Sequence, residues 1–253
     1  MRTSIKMIAT DLDGTLLRSD KTISEHTKSV LSRCRESGLK LVYATGRGGI
    51  DANIVPPELF DGRITMNGAV AKAGDAVVYN CPIPYRDARR LLVSCDKRGL
   101  RIVSQTSDMH YSNFATSDVW PRLTNYKIVD FSRHDADAEK IYTFDLTPED
   151  ISFIENQLPD NLYMVVMTDG LAMIVHKGAT KSKAVSELAS FWGIDKSEIV
   201  AFGDDLNDID MISYAGVGVA MENALDEVKA AAGHVCSSND HDGAVRWLED
   251  NVL

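Results

Sequence analysis

"MIATDLDGTLL", residues 7–17, begins as a buried strand and ends on two carboxylates, Asp11 and Asp13, with Gly14 directly behind them. An apolar run that gives way to acids is how a strand reads when it leads from a core to a site at its carboxyl end. Side chains alternate in an extended chain, so residues 11 and 13 are expected on the same side. At ~4 Å and an effective dielectric near 20, two such charges repel by about 4 kcal/mol. Either one carboxyl keeps a proton, as an acid catalyst needs, or a cation sits between them.

"FGDDLNDID", residues 202–210, repeats the arrangement. The apolar run at 199–203 is followed by Asp204, Asp205 and Asp208 at the start of a helical pattern. If both strands share one sheet, the two sets of acids converge at one edge. A hard divalent cation suits such a cluster, and Mg²⁺ takes one or two carboxylates while leaving room for a substrate phosphate. Helix N-capping explains residues 204–208 equally well when they are read alone; beside the first motif, the metal reading prevails.

A cation at a strand edge implies an anionic guest. Thr45 closes a second strand pattern (39–45) just before Gly46, Arg47, Gly48 and Gly49, where a hydroxyl and successive N–H groups can hold a phosphoryl oxygen. Lys181 opens a helix whose apolar face is Ala184, Val185, Leu188, Ala189 and Trp192. A cation set against the positive end of a helix dipole makes sense if the two share a phosphate. On spacing alone, Lys177 and Lys183 remain alternatives.

Around these motifs the first 66 residues alternate strand and helix patterns, the signature of parallel βαβ units. Thr22 with Glu25 reads as a capping box, Val30, Leu31 and Cys34 as an apolar stripe, and Gly38 as the stop. The tail continues the rhythm: helix 181–192, strand 199–203, helix 205–214, strand 217–221, helix 223–231, a strand from His234, and a last helix from Asp242. Between these halves the pattern changes. A helix at 85–98 is followed by four strand-like runs, a helix opened by Thr147 and Pro148, and a hairpin at 163–176 with an Asp169–Gly170 turn. The expected fold class is α/β: a Rossmann-like, doubly wound parallel sheet built from 1–81 and 178–253, with an inserted α+β domain at 82–177.

The net charge of −10 argues against nucleic acid and against anionic membrane as partners. Cys34, Cys81, Cys95 and Cys236 are scattered, without a Cys-x-x-Cys pair, so a reduced cytoplasmic protein is expected. Neither a signal-peptide core nor a membrane-length apolar run occurs. P-loop, nucleophile-elbow and zinc-helix motifs are absent, and "GVGVAM" (216–221) lacks the third glycine of a dinucleotide fingerprint.

"DLDGT" (11–15), "TGR" (45–47), "KGATKSKAV" (177–185) and "GDDLND" (203–208), in this order, resemble the four motifs of the haloacid dehalogenase superfamily of aspartate-nucleophile phosphohydrolases. The insertion, "NGA" (67–69) and "GVAMENALDEVK" (218–229) are similar to its Cof-like subgroup, type IIB, with a C2 cap; Glu222 stands where many relatives have glycine. The resemblance implies that Asp11 is the nucleophile and Asp13 the acid and base. It implies Mg²⁺ held by Asp11, the backbone carbonyl of Asp13 and Asp204, with Asp205 and Asp208 orienting that shell. Thr45, Lys181 and Asn207 would grip phosphoryl oxygens, with Gly46, Arg47 and Asn67 in the substrate-binding set. The cap, 82–177, would move and select the substrate. The expected activity is Mg²⁺-dependent hydrolysis of small phosphorylated metabolites, sugar phosphates foremost, through an aspartyl-phosphate. A phosphomannomutase-like phosphomutase shares these motifs. A non-catalytic phosphometabolite-binding protein is disfavoured because Asp11, Asp13, Lys181 and Asp204 are all present. The sequence does not give the oligomeric state.

Overall fold

The computed structural model describes residues 4–48, 54–121, 123–166 and 170–253. In chain order, β1 (Met7–Thr10) is followed by α1 (Glu25–Glu36), β2 (Lys40–Ala44), β3 (Gly62–Thr65), β4 (Val70–Ala73) and β5 (Ala76–Asn80). Next come α2 (Tyr85–Lys97), β6 (Ile102–Gln105), β7 (His110–Ser112), β8 (Tyr126–Ile128), β9 (Lys140–Thr143), α3 (Pro148–Glu155), β10 (Leu162–Val166) and β11 (Ala172–His176). The chain closes with α4 (Lys181–Trp192), β12 (Ile199–Gly203), α5 (Ile209–Tyr214), β13 (Val217–Met221), α6 (Asp226–Ala231), β14 (His234–Cys236) and α7 (Gly243–Asn251).

Among the described residues these elements form two compact units, one made from 4–47, 54–80 and 180–253, the other from Gly48 and 81–179. The first holds an 8-stranded sheet in the order β14-β13-β12-β1-β2-β3-β4-β5. Neighbours from β14 to β3 run parallel, whereas β4 and β5 run antiparallel at the edge. This edge hairpin, with Gly74 in its turn at φ +56°, is an addition to the parallel pattern expected from the sequence.

β1 lies between β12 and β2 and is buried along its whole length, which is why its residues are apolar without a polar alternation. Ile8 joins Val30, Leu31, Phe202, Val245 and Leu248 in one core. Met7 and Ala9 join Val42, Ile64, Val185, Leu188 and Met211 in another. The sheet is thus covered on both faces, the doubly wound arrangement. The register sets Thr10 opposite Phe202 of β12 and Tyr43 of β2. Residues just beyond these strands, Asp11, Asp204 and Thr45, therefore emerge together at the carboxyl edge.

The inserted unit has a 6-stranded sheet in the order β10-β11-β9-β6-β7-β8. It is antiparallel apart from the β7–β8 pair. Leu91 and Leu92 of α2 and Ile154 of α3 pack with Ile102, Ile141 and Ile174 of the sheet in a core of its own. The expected hairpin is β10–β11; Asp169 of its turn lies outside the described residues, and Gly170 has φ +83°. Gly49 of the glycine-rich stretch also lies outside them. Among the described residues no helix is long and apolar enough to cross a membrane.

Helix starts differ from expectation. The Thr22–Glu25 capping box does not form: Ser24 is the N-cap of α1, its Oγ accepting from the Thr27 N–H at 2.9 Å and donating to Asp242 at 3.0 Å. The Thr22 hydroxyl instead bonds Asp20 at 2.6 Å. Likewise the helix expected at 205 opens as a 3₁₀ turn over Leu206–Asp208 before α5, and α6 starts at Asp226 rather than at 223. Replacing Ser24 by Ala is expected to cost about 1 kcal/mol of stability in urea denaturation. Thr22→Ala should stay within about 0.5 kcal/mol; equal losses would refute the cap assignment.

Candidate active site

Lys181 is the first residue of α4, and its ammonium is fully buried. Nζ lies 2.6 Å from Asp11 Oδ1 and 2.5 Å from Asp208 Oδ1. Asp208 uses its other oxygen to accept the backbone N–H groups of Asp204 at 3.0 Å and Asp205 at 3.2 Å, which fixes the loop after β12. Asp204 Oδ1 accepts the Thr15 hydroxyl at 2.7 Å. Between them runs Gly14 at φ +80°, where a Cβ would stand 2.2 Å from Asp204 Oδ2. Only glycine allows the turn behind Asp11 to pass so close.

Asp11, Asp204 and Asp208 each offer a carboxylate oxygen within 4.8 Å of the others. Burial raises the Asp11 carboxyl well above its usual range, Lys181 opposing this and Asp208 and Asp204 adding to it. Burial likewise pushes Asp204 from 3.8 up to about 6, against the Thr15 hydrogen bond and with Asp208 and Asp205 adding to it. Burial lowers the Lys181 pKa, but Asp11 and Asp208 outweigh it and hold the ammonium charged. When all three carboxyls are ionised they outnumber the one ammonium by two negative charges. Among the described residues, Asp11 Oδ2 and Asp204 Oδ2 accept no hydrogen bond. Hard oxygen donors, a surplus of two charges and two uncommitted oxygens are a donor set that fits Mg²⁺.

Asp13 is placed otherwise. Its carboxylate takes Arg47 Nε at 2.6 Å and Nη2 at 2.8 Å, and Lys21 Nζ at 2.8 Å. Burial would raise its pKa, yet the hydrogen bonds from Arg47 and Lys21 hold it down at about 2. The repulsion expected between Asp11 and Asp13 is therefore not the dominant one. β1 ends at Thr10 and the chain turns behind the two acids, with the Leu17 N–H on the Leu12 carbonyl at 2.8 Å. The repulsion falls among Asp11, Asp204 and Asp208 instead. Asp205, expected to orient a metal's shell, has its carboxylate on the Leu206 N–H at 2.7 Å as the cap of the 3₁₀ turn.

The candidate phosphate-binding residues form a connected wall. The buried Thr45 hydroxyl accepts the Arg47 N–H at 3.1 Å. Asn207 Nδ2 donates to Asn67 Oδ1 at 3.0 Å, and a Cβ on Gly46 would stand 2.9 Å from that same oxygen. Asn67 is in the left-handed region at φ 55°. Gly68, at φ +99°, would carry its Cβ 2.1 Å from the Thr180 carbonyl. "NGA" is thus a tight turn set against Gly46 on one side and the start of α4 on the other. The rival lysines separate clearly, since Lys183 is exposed on Glu187 at 2.6 Å and Lys177 is exposed. Sequence reasoning missed Lys21 and Thr15. Thr15 was inside a quoted motif, but Lys21 owes its contact to a turn where its own φ is 66°.

The sequence pattern of haloacid dehalogenase-like hydrolases matches residues 8–248. A 5-amino-6-(5-phospho-D-ribitylamino)uracil phosphatase of Bacillus subtilis, YitU, is 27% identical over 266 residues, covering 99% of this chain and 98% of its own. Its counterpart YbjI of Escherichia coli is 27% identical over 273 residues, covering 99% and 97%. Among solved structures, the subclass IIB sugar phosphatase BT4131 aligns with a TM-score of 0.82 and 27% identity over 97% of this chain and 98% of that one.

A carboxyl whose folded pKa is raised binds its proton more tightly in the folded state, so ionising it removes stability. For Asp204, with its pKa moved from 3.8 to about 6, that loss develops between about pH 4 and 6 in metal-free protein and reaches roughly 3 kcal/mol. Asp204→Asn, measured in chelator, is expected to be more stable than wild type at pH 7.5 by about 2 kcal/mol and equal to it at pH 4. A stability difference independent of pH would contradict the charge accounting.

Proposed function

The chain belongs to the haloacid dehalogenase-like hydrolases and is a phosphatase, and we propose that it hydrolyses phosphate monoesters of small polyhydroxylated metabolites, sugar phosphates among them, with Mg²⁺ between Asp11 and Asp204. The observation that carries this reading is the pairing of two opposite local charges. The Asp11–Asp204–Asp208 trio has negative charge in surplus over Lys181, and Asp13 is outnumbered by Arg47 and Lys21. A divalent cation suits the first and a phosphoryl dianion the second.

In this mechanism a carboxylate oxygen of Asp11, whose position is fixed by the Lys181 ammonium, attacks phosphorus. The P–O bond to the alcohol breaks as the aspartyl-phosphate forms. Asp13 delivers a proton to the leaving oxygen and then takes one from the water that hydrolyses the aspartyl-phosphate. Its pKa of about 2 describes the carboxylate while Arg47 and Lys21 hold it. An arriving phosphoryl group competes for the same guanidinium and ammonium, and each contact it takes lets Asp13 rise toward the range of a proton donor. Thr45, Asn207 and Lys181 steady the phosphoryl oxygens, with Gly46, Arg47 and Asn67 completing the wall. Bound Mg²⁺ would neutralise charge on the transferring group and polarise it.

The substrate class draws on the relatives' names, which join a ribityl phosphate and sugar phosphates: in each the phosphate leaves a hydroxylated carbon chain. The inserted domain, 82–177, is proposed to read that leaving group.

A panel of phosphorylated metabolites assayed for inorganic phosphate tests the reading. Sugar and polyol phosphates are expected to turn over with Mg²⁺ and to stop in excess chelator. Asp11→Asn should be folded and inactive. Lys181→Met should lose about 10²–10³ in kcat, the scale for one preorganised charge contact, while Lys183→Ala stays near wild type. Isomerised sugar phosphate without phosphate release would favour a mutase; turnover by Asp11→Asn would remove the nucleophile.

A further inference from the structure

The turn behind Asp11 folds on itself and leaves two of its carbonyls to be satisfied from distant parts of the chain. Asn223 Nδ2 donates to the Gly14 carbonyl at 2.8 Å, and Asn239 Nδ2 donates to the Leu17 carbonyl at 2.9 Å. The two asparagines are themselves joined, the Asn239 N–H donating to Asn223 Oδ1 at 3.0 Å. The segment that carries Asn223 also holds the other side of the site, because the Leu225 N–H donates to the Asp204 carbonyl at 3.1 Å. Glu222 Oε2, accepting the Ser238 N–H at 3.2 Å, ties the same segment to the residue before Asn239.

We propose that Asn223 and Asn239 are positioning residues, a splint that holds the Asp11 turn in register with Asp204. The geometry gives the splint leverage on the chemistry. Gly14 passes under Asp204 Oδ2 with no room for a Cβ, and Thr15, next in the chain, donates to Asp204 Oδ1 at 2.7 Å. A displacement of the Gly14 peptide therefore changes the spacing of Asp11 and Asp204, the two carboxylates that carry an uncommitted oxygen. The side-chain chemistry is specific. Asn223 must donate to a carbonyl and accept from an amide at once, which a carboxamide does and a carboxylate cannot. This assigns a role to the "ENA" of residues 222–224, whose side chains, among the described residues, hydrogen-bond neither the acid trio nor the phosphate wall.

The proposal rests on the phosphatase reading for its kinetic consequence but not for its structural one, and the test separates them. Asn223 is exposed, so Asn223→Asp keeps the shape and the bond to the Asn239 N–H, admits solvation of the new charge, and sets a carboxylate oxygen against the Gly14 carbonyl. With the full chain, Mg²⁺ and a chromogenic aryl phosphate, Asn223→Asp is expected to lower kcat about tenfold with KM unchanged, equivalent to about 1.4 kcal/mol in the transition state. More Mg²⁺ should be needed for half-maximal rate. Independently of activity, backbone amides 12–17 should exchange with deuterium faster than in wild type. Faster exchange with unchanged kcat would overturn the positioning role and leave a purely structural tie; unchanged exchange would overturn the splint itself. Wild-type protein without phosphatase activity would count against the functional reading, and the exchange comparison would still decide the splint.

Discussion

A fully buried ammonium is tolerated only when opposite charge surrounds it, and Lys181 finds that charge in Asp11 and Asp208. This one triple contact joins the end of β1, the loop after β12 and the start of α4. Its partners lie 170 and 27 positions from Lys181 along the chain. Because Asp208 spends its second oxygen on two backbone amides, the conformation of residues 204–208 follows from the ion pair. Asp204 is then delivered beside Asp11, where the Thr15 hydroxyl and the Leu225 N–H hold it. The elevated pKa of Asp204 is the electrostatic cost of that delivery in the absence of a cation.

The chain as a whole carries −10, yet the site is not uniformly acidic. Two small clusters of opposite balance sit on neighbouring residues of one turn, through Asp11 and through Asp13. Short-range pairing decides this pattern and net charge does not, since a charge a few ångströms away outweighs many screened ones at the surface. An acidic protein can in this way bind a phosphate dianion while disfavouring polyanions elsewhere on its surface.

Much of this was readable from residues. β12, β13 and α4 have the bounds expected from their apolar runs and period, because central strands and amphipathic helices carry their burial in their own sequence. That Asp11, Lys181 and Asp204 would meet at one sheet edge was visible as motif and resemblance. Features that depend on a distant partner were not. Ser24, not Thr22, caps α1 because Asp242, 218 positions away, is there to receive its hydroxyl. Lys21 reaches Asp13 only through the conformation of a turn, and Asn223 finds Gly14 across 209 positions. The β4–β5 hairpin lies beyond residue 66, where the expected βαβ pattern stops.

The strand order β12-β1-β2 has a consequence for the making of the protein. A nascent chain emerges from its N-terminus, so β1 is synthesised with one neighbour, β2, close behind and the other, β12, almost a whole chain away. Until β12 appears, β1 is an apolar edge with unpaired amides on one side, the kind of surface that invites misassociation. The inserted unit, whose sheet pairs only its own strands, has every contact it needs as soon as β11 is made. Ribosomal synthesis thus favours an order in which the middle of the polypeptide matures before either flank, and Asp11 meets Lys181 and Asp208 only when the last third of the chain arrives.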